Sequence, residues 1–339
     1  MARLTVLEPE GMYPDTLLEQ EVFGPDVRML QGGAPSTGTL DTIDPAVSAE
    51  VDGLLIFRHW LKPEHIARFP RLKVVVRMGV GYDRLDRAAC AARGIMVCNV
   101  PDYGTQEVAD HAMALALSLR RGIVLHHDLQ RGPDPAPWRA IETPLITRAS
   151  EQGFGIIGLG RIGTAVALRA KAFGYRVTFY DPNLPNGADL ALGIKRARTL
   201  EDLLAVSDTL SIHVPDMRST RGMIGARELA LLPRGAVLIN TARGTSVDID
   251  ALEAALRSDH LAGAGLDVIP VEPPVAPLPS LLAAYRAREP WLAGRLVITP
   301  HSAFWTPHAW ADIRRKSAET MRDALLTNRP SNVIRPDQD

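Results

Sequence analysis

The sequence predicts an α/β chain of two domains, each a doubly wound parallel sheet, with a cleft between them. Three observations carry this expectation. Short apolar runs bounded by Gly and Pro alternate with segments of helical periodicity along the chain, the pattern of strands joined through crossover helices. One such run, Phe154 to Ile157, passes through Gly158, Gly160 and Gly163 into an alanine-rich helix. The last three strand-like runs each open into a loop carrying a side chain suited to chemistry: Arg243, Glu272 or His301.

Composition removes several classes of protein. At 339 residues with 46% hydrophobic content, the chain can bury a sizeable core and form two domains. A formal charge of -1 and a pI near 6.8 give no global case for nucleic-acid or anionic-membrane binding. Cys90 and Cys98 have neither metal-ligand spacing nor a companion pair and read as reduced core thiols. The apolar run at Leu4 to Leu7 is too short for a signal peptide, and no stretch approaches membrane-spanning length, so a soluble cytoplasmic protein is expected. His126 and His127 lack a nearby third ligand and read as solvated or partner-facing, with no metal implied.

In the N-terminal part, Leu4 to Leu7, Gly53 to Phe57, Lys73 to Val76 and Ile95 to Cys98 are the clearest strands. The third runs into Arg77-Met78-Gly79-Val80-Gly81, where alternate glycines either free backbone N–H groups for a carboxylate or serve a tight turn. Asn99 to Gly104 breaks the pattern. Gln106 to Arg120 is then a long helix with Val108, Ala112, Leu115, Ala116 and Leu119 on one face, marking the crossing into the second domain. Arg131 to Pro144 reads as a loop returning the chain to the glycine turn.

At that turn Gly158 permits a tight bend, Gly160 lets the backbone approach a pyrophosphate, and Gly163 lets the new helix pack closely on the sheet. The N–H groups around Arg161 and Ile162 then face phosphate, aided by the helix dipole. Ile162, Val166, Ala167, Ala170 and Phe173 keep helical spacing until Gly174, and Val177 to Tyr180 is a second strand ending in Asp181. A carboxylate there accepts ribose hydroxyls and repels a 2'-phosphate, which predicts NAD in preference to NADP. Thr209 to His213, Ala236 to Asn240, Gly263 to Asp267 and Leu296 to Thr299 bring the strands to six. They read as two halves of three in a Rossmann-like sheet, with ligands at the carboxyl ends of the strands.

Arg243, Glu272 and His301 follow successive strands into that crevice. Hydride transfer between NAD and a 2-hydroxy acid needs a proton carrier, a positive fork for the α-carboxylate and a partner that tunes the carrier. His301, Arg243 and Glu272 fit these roles, with the carboxylate stabilising imidazolium and selecting the ring nitrogen that faces substrate.

These residues resemble the D-isomer-specific 2-hydroxyacid dehydrogenases. The likeness rests on Gly-Val-Gly-Tyr-Asp at 79–83, Asn-Val-Pro at 99–101, the glycine turn, Asn-Thr-Ala-Arg-Gly at 240–244, Asp-Val through Glu-Pro at 267–273 and Thr-Pro-His-Ser-Ala at 299–303. It implies Arg243, Glu272 and His301 as catalytic residues. It implies a cofactor site of Val80, Gly158, Gly160, Arg161, Ile162, Gly163, Asp181, Val214, Thr220, Thr241, Ala242, Arg243, Asp267 and His301, with Asp267 placing the nicotinamide carboxamide. Arg77, Gly79, Val80, Gly81, Arg243, His301 and Phe304 are the implied substrate contacts. Residues 1–101 with 304–339 would form a flavodoxin-like substrate domain, residues 102–303 the NAD-binding domain, and the chain would pair as a homodimer.

Arg77-Met-Gly-Val-Gly-Tyr-Asp, Cys98-Asn-Val-Pro followed by Glu107-Val-Ala-Asp, and Ala167-Leu-Arg-Ala-Lys-Ala-Phe-Gly before Phe179-Tyr-Asp-Pro make it most similar, within the family, to the C-terminal binding protein branch, NADH-sensing transcriptional corepressors and their bacterial relatives. It departs from that branch at Phe304-Trp305, where the corepressors carry Trp-Tyr, and in a longer proline-rich stretch between Glu272 and His301. The identity of the 2-oxo acid is therefore open. Two other functions stand beside the dehydrogenase: a corepressor-like binding module, against which the intact Arg, Glu and His argue, and a phosphoglycerate dehydrogenase, which needs further basic residues for a phosphate.

Overall fold

A computed structural model describes residues 4–34, 39–131, 134–327 and 329–336. The chain divides into two compact units: Met1–Gly104 with Trp305–Asp339, and Thr105–Phe304. Of the expected loop from Arg131 to Pro144, residues 132 and 133 lie outside the described residues, and the rest is irregular.

The first unit holds β1 (Leu4–Glu8), β2 (Val27–Gln31), β3 (Gly53–Ile56), β4 (Val74–Arg77) and β5 (Met96–Asn99), ordered β2-β1-β3-β4-β5 and paired in parallel. That is the flavodoxin-like order. Leu54, Ile56, Val75 and Val97 from neighbouring strands pack with Phe69 in its core. The helix Pro307–Arg322 belongs to this unit: Ala309, Ile313, Ala318 and Met321 are buried, and Trp310 packs on the rings of Tyr13 and Phe57.

The second unit is a seven-stranded parallel sheet, which corrects the expected six. Its strands are β6 (Gly153–Ile157), β7 (Arg176–Tyr180), β8 (Lys195–Arg196), β9 (Thr209–Ile212), β10 (Ala236–Asn240), β11 (Leu261–Leu266) and β12 (Leu296–Ile298), ordered β12-β11-β10-β9-β6-β7-β8. The first half is β6-β7-β8, closed by a two-residue edge strand too short to leave an apolar signal, and β12 extends the second half. The central strands β6, β9, β10 and β11 are buried on both faces: Val237 and Ile239 enter one apolar cluster with Phe154 and Leu115, while Leu238 enters the other with Leu252 and Leu256. The reversal of strand order falls between β6 and β9, so their carboxyl ends open the crevice where a ligand belongs.

The lengthened segment before β12 has structure of its own. Ser280–Arg286 is helical, buries Leu281, Leu282 and Ala284, places Leu281 and Ala284 in the cluster around Leu252 and Leu256, and ties Ser280 to Glu253 at 3.1 Å. Its apolar side chains thus serve the core of this unit.

One buried carboxyl in the first unit makes stability depend on pH. Burial pushes Glu8 up to about 7; the N–H groups of Met12 and Glu10 oppose this, and the charge of Glu10 adds to it. A raised folded-state pKa means that the folded chain holds a proton the unfolded chain releases. The stabilisation is complete below pH 4.5 and drains away as pH rises through 7, by about 3 kcal/mol at full ionisation. Urea denaturation of the first unit's transition at pH 5 and pH 8.5 should therefore show a smaller pH difference in Glu8→Gln than in the unaltered protein.

Candidate active site

The glycine turn has the geometry assigned to it. Gly158 sits at φ 84°, where a Cβ would lie 2.6 Å from the His213 carbonyl oxygen, and a Cβ at Gly163 would lie 2.0 Å from the Gly158 oxygen. Side chains are excluded at both positions by backbone. At Gly160, the N-cap of the helix Arg161–Ala172, a Cβ would meet nothing within 4 Å, so the backbone is open to close approach at the helix start, where the first N–H groups have no intrahelical acceptor. Val214 touches the same turn, with its Cγ1 2.9 Å from a Cβ at Gly158. Asp181 accepts from the Leu159 N–H at 2.9 Å and from Asn183 N–H at 2.9 Å. The end of β7 thereby braces the glycine turn, and each carboxylate oxygen retains acceptor capacity for ribose hydroxyls. These features fit a dinucleotide, and the buried Thr241 hydroxyl, without a hydrogen-bond partner among the described residues, adds a polar group to the same edge.

Three loops at the ends of β10, β11 and β12 build the rest. After β10, Asn240 folds the turn onto itself, donating to the Arg243 carbonyl at 2.8 Å and accepting from Ala242 N–H at 3.0 Å. Gly244 then runs against the next loop so closely that a Cβ would lie 1.9 Å from the Ile269 carbonyl carbon. Glu272 accepts from the Ile269 N–H at 3.0 Å and from His301 Nδ1 at 2.6 Å. Burial, the largest single influence on Glu272, pulls its pKa upward. The hydrogen bond and charge of His301, the Ile269 N–H and the charge of Arg243 together outweigh burial and hold the carboxyl below its ordinary value. Since an ionised carboxylate only accepts, His301 carries its proton on Nδ1 and presents Nε2 outward.

His301 itself is in the left-handed region at φ 51°, a conformation that costs about 1–2 kcal/mol outside glycine. The surrounding bonds hold it there. Its N–H donates to the Asp267 carbonyl at 2.8 Å, while the Asp267 carboxylate accepts from the N–H groups of Ser302 at 2.9 Å and Ala303 at 3.0 Å and from the Thr299 hydroxyl at 2.6 Å. Asp267, expected to place a carboxamide, is 2% exposed and organises the histidine loop. Thr220 likewise closes its own turn, donating to the Pro215 carbonyl at 2.6 Å. Sequence reasoning passed over Thr299 and His111, whose Nε2 lies 2.9 Å from the Thr299 hydroxyl. The available signal was register: Leu266 pairs with Ile298, so Asp267 and Thr299 follow side by side.

Phe304 meets the His301 ring edge to face, with centroids 6.4 Å apart. In the first unit, Arg77 lies over the Phe57 ring and donates to the Met78 carbonyl at 2.8 Å. The Gly79 N–H donates to the Arg77 carbonyl at 2.9 Å, so an anion at this loop would draw on other donors. The loop is pinned by Asn99, which donates to the Val80 carbonyl at 2.7 Å, and by Val100 N–H on the Gly79 carbonyl at 3.1 Å. Gly81 is half-buried in the same loop. His126 and His127 lie in the helix Ile123–Arg131, away from the strand ends described above. No helix among the described residues is long and apolar enough to cross a membrane.

A glycine turn at the switch point, an acidic residue closing the second strand and a carboxylate-held histidine at the same edge define a dinucleotide-dependent oxidoreductase. Residues 113–303 match the NAD binding domain of D-isomer specific 2-hydroxyacid dehydrogenases. The chain belongs to that family and is an NAD-dependent oxidoreductase. It is 35% identical over 272 residues to a glyoxylate reductase of Korarchaeum cryptofilum (strain OPF8), covering 78% of this chain and 76% of the relative. To C-terminal-binding protein 1 of Caenorhabditis elegans it is 32% identical over 308 residues, 87% of this chain but only 40% of that protein's length. Its fold superimposes on the crystal structure of a glyoxylate reductase from Paecilomyes thermophila with a TM-score of 0.85 at 26% identity, covering 100% of both chains.

The Asp181 geometry predicts the response of cofactor choice. Asp181→Ser should weaken NADH by about tenfold, the value of one hydrogen bond to a charged acceptor, and narrow its advantage over NADPH. Fluorescence titration with both cofactors reads this directly, and an unchanged ratio would mean that the carboxylate only braces Leu159.

Proposed function

We propose that the protein reduces a small 2-oxo acid to the D-2-hydroxy acid, and runs the reverse reaction, with His301 as the general acid and base. The observation that carries this reading is the 2.6 Å bond between His301 Nδ1 and Glu272 at the carboxyl edge of the parallel sheet. Bound NADH supplies the hydride to the carbonyl carbon. His301 Nε2 gives the carbonyl oxygen its proton, and Glu272 stabilises the imidazolium that this requires and fixes the ring. Arg243 offers a planar fork for the substrate carboxylate, with Arg77 and the 79–81 loop as further substrate contacts. His213 cannot replace His301 as the acid, because burial drives it down to about 3 and keeps it neutral at any working pH. The similarity to glyoxylate reductases favours a short substrate. The protein would act in the cytoplasm as a homodimer.

His301→Gln should lower kcat by at least about 10²-fold, the usual worth of a positioned general acid. Glu272→Gln removes the charge that favours the imidazolium, so the alkaline limb of the reduction profile should move to lower pH. A limb that stays in place would leave His301 as the acid without Glu272 as its partner.

Phe304 forms an apolar wall beside His301, smaller than the indole of the corepressor branch and without its N–H donor. Phe304→Trp, assayed with glyoxylate, pyruvate and a branched 2-oxo acid, should penalise the branched acid most, by about 1 kcal/mol for each methylene displaced. A uniform loss across the three would make Phe304 a support of the site without control of its size.

A further inference from the structure

Behind the histidine loop runs a chain of hydrogen bonds that the proposed reaction has not used. His111 lies in the helix Thr105–Arg120, with its side chain mostly buried and its Nε2 2.9 Å from the Thr299 hydroxyl and 3.8 Å from Asp267 Oδ1. Thr299 has one hydroxyl proton, and at 2.6 Å from Asp267 Oδ1 that proton goes to the carboxylate. The Thr299 oxygen therefore meets His111 as an acceptor, and His111 Nε2 is the donor. The direction of every bond in the series is thus set: His111 to Thr299, Thr299 to Asp267, and the N–H groups of Ser302 and Ala303 to the same carboxylate from the other side.

We infer that His111 is a positioning residue for the reaction: acting through Thr299 and Asp267, it holds the turn that aims the His301 ring. The turn needs holding, because His301 keeps a left-handed backbone that no intrinsic preference supports. Asp267 gathers donors from residues on both sides of His301, so the direction of its carboxylate sets where the ring stands. Oδ1 is shared between Ser302 and Thr299. Removing the donor behind Thr299 leaves its hydroxyl free to turn, and the carboxylate loses its fixed rear contact. An error of orientation there reaches the proton-transfer atom while leaving the glycine turn and Asp181 unaltered.

This inference rests on His301 as the acid, and the test keeps the two apart. The unaltered enzyme, His301→Gln, His111→Leu and His111→Gln are compared for steady-state reduction of glyoxylate, pyruvate and hydroxypyruvate and for NADH affinity by fluorescence titration. His111→Leu should lower kcat about tenfold with KM and NADH affinity held within about twofold, the pattern of a contact made effective only in the transition state. His111→Gln, whose amide N–H reaches toward the same hydroxyl, should recover most of the loss. Should His111→Leu fail to fold, Thr299→Val against Thr299→Ser reads the same link. Where both fold, His111→Leu and Thr299→Val combined should cost no more than either alone. A kcat unchanged in His111→Leu, a Gln variant as slow as Leu, or NADH affinity falling in step with kcat overturns the inference. Wild-type turnover in His301→Gln overturns the reading beneath it.

Discussion

The carboxylate of Asp267 is the constraint on which the catalytic edge depends. A buried carboxylate is tolerated only where its oxygens are met by donors, and here the donors come from residues just before and just after His301. The requirement to satisfy one charge therefore dictates the path of the loop. The direction in which the loop presents His301 is set by the backbone that Asp267 gathers in. The parallel register of β11 and β12 brings this about, since it delivers Asp267 and Thr299 as neighbours at the ends of adjacent strands.

Glu272 stays ionised in spite of burial because His301, Ile269 and Arg243 each favour its anion. Arg243 is held near it by the close packing of the Gly244 backbone on Ile269 and Pro270, which joins the loops after β10 and β11 into one surface. His213, at the end of β9, is hydrogen-bonded to the Ser211 hydroxyl at 2.8 Å and is kept uncharged. Two histidines at one sheet edge thus have different partners: a carboxylate holds His301 Nδ1, and a serine hydroxyl meets His213.

The parts of this arrangement that were legible in the sequence are those that repeat a local pattern. The glycine turn, the two strands beside it and the three loops bearing Arg243, Glu272 and His301 could be found because apolar runs of strand length precede each of them. The edge strands β2 and β8 were not found. Half of β2 faces outward, and β8 is a pair of basic residues, so neither has the two-sided apolar run of a central strand. His111 was hidden for a different reason. It is off the apolar stripe of its helix, and its partner is 188 residues away along the chain, so only the packed sheet brings the two together. The lengthened stretch before β12 carries Leu281 and Ala284 at a spacing that suits a helix laid on the core.

The division of the chain at Gly104 and Trp305 bears on how the molecule is made. The second unit is one continuous stretch, whereas the first is assembled from both ends of the sequence. Its early strands leave the ribosome without Trp310 to cover Tyr13 and Phe57, without Met321, and without Ile334, whose N–H closes on the Val97 carbonyl. The nascent chain must carry that half-covered sheet throughout synthesis of the nucleotide-binding unit, which can complete its own core first. Order of synthesis and order of completion are therefore reversed for the two units: the one whose strands come first is the one whose core closes last.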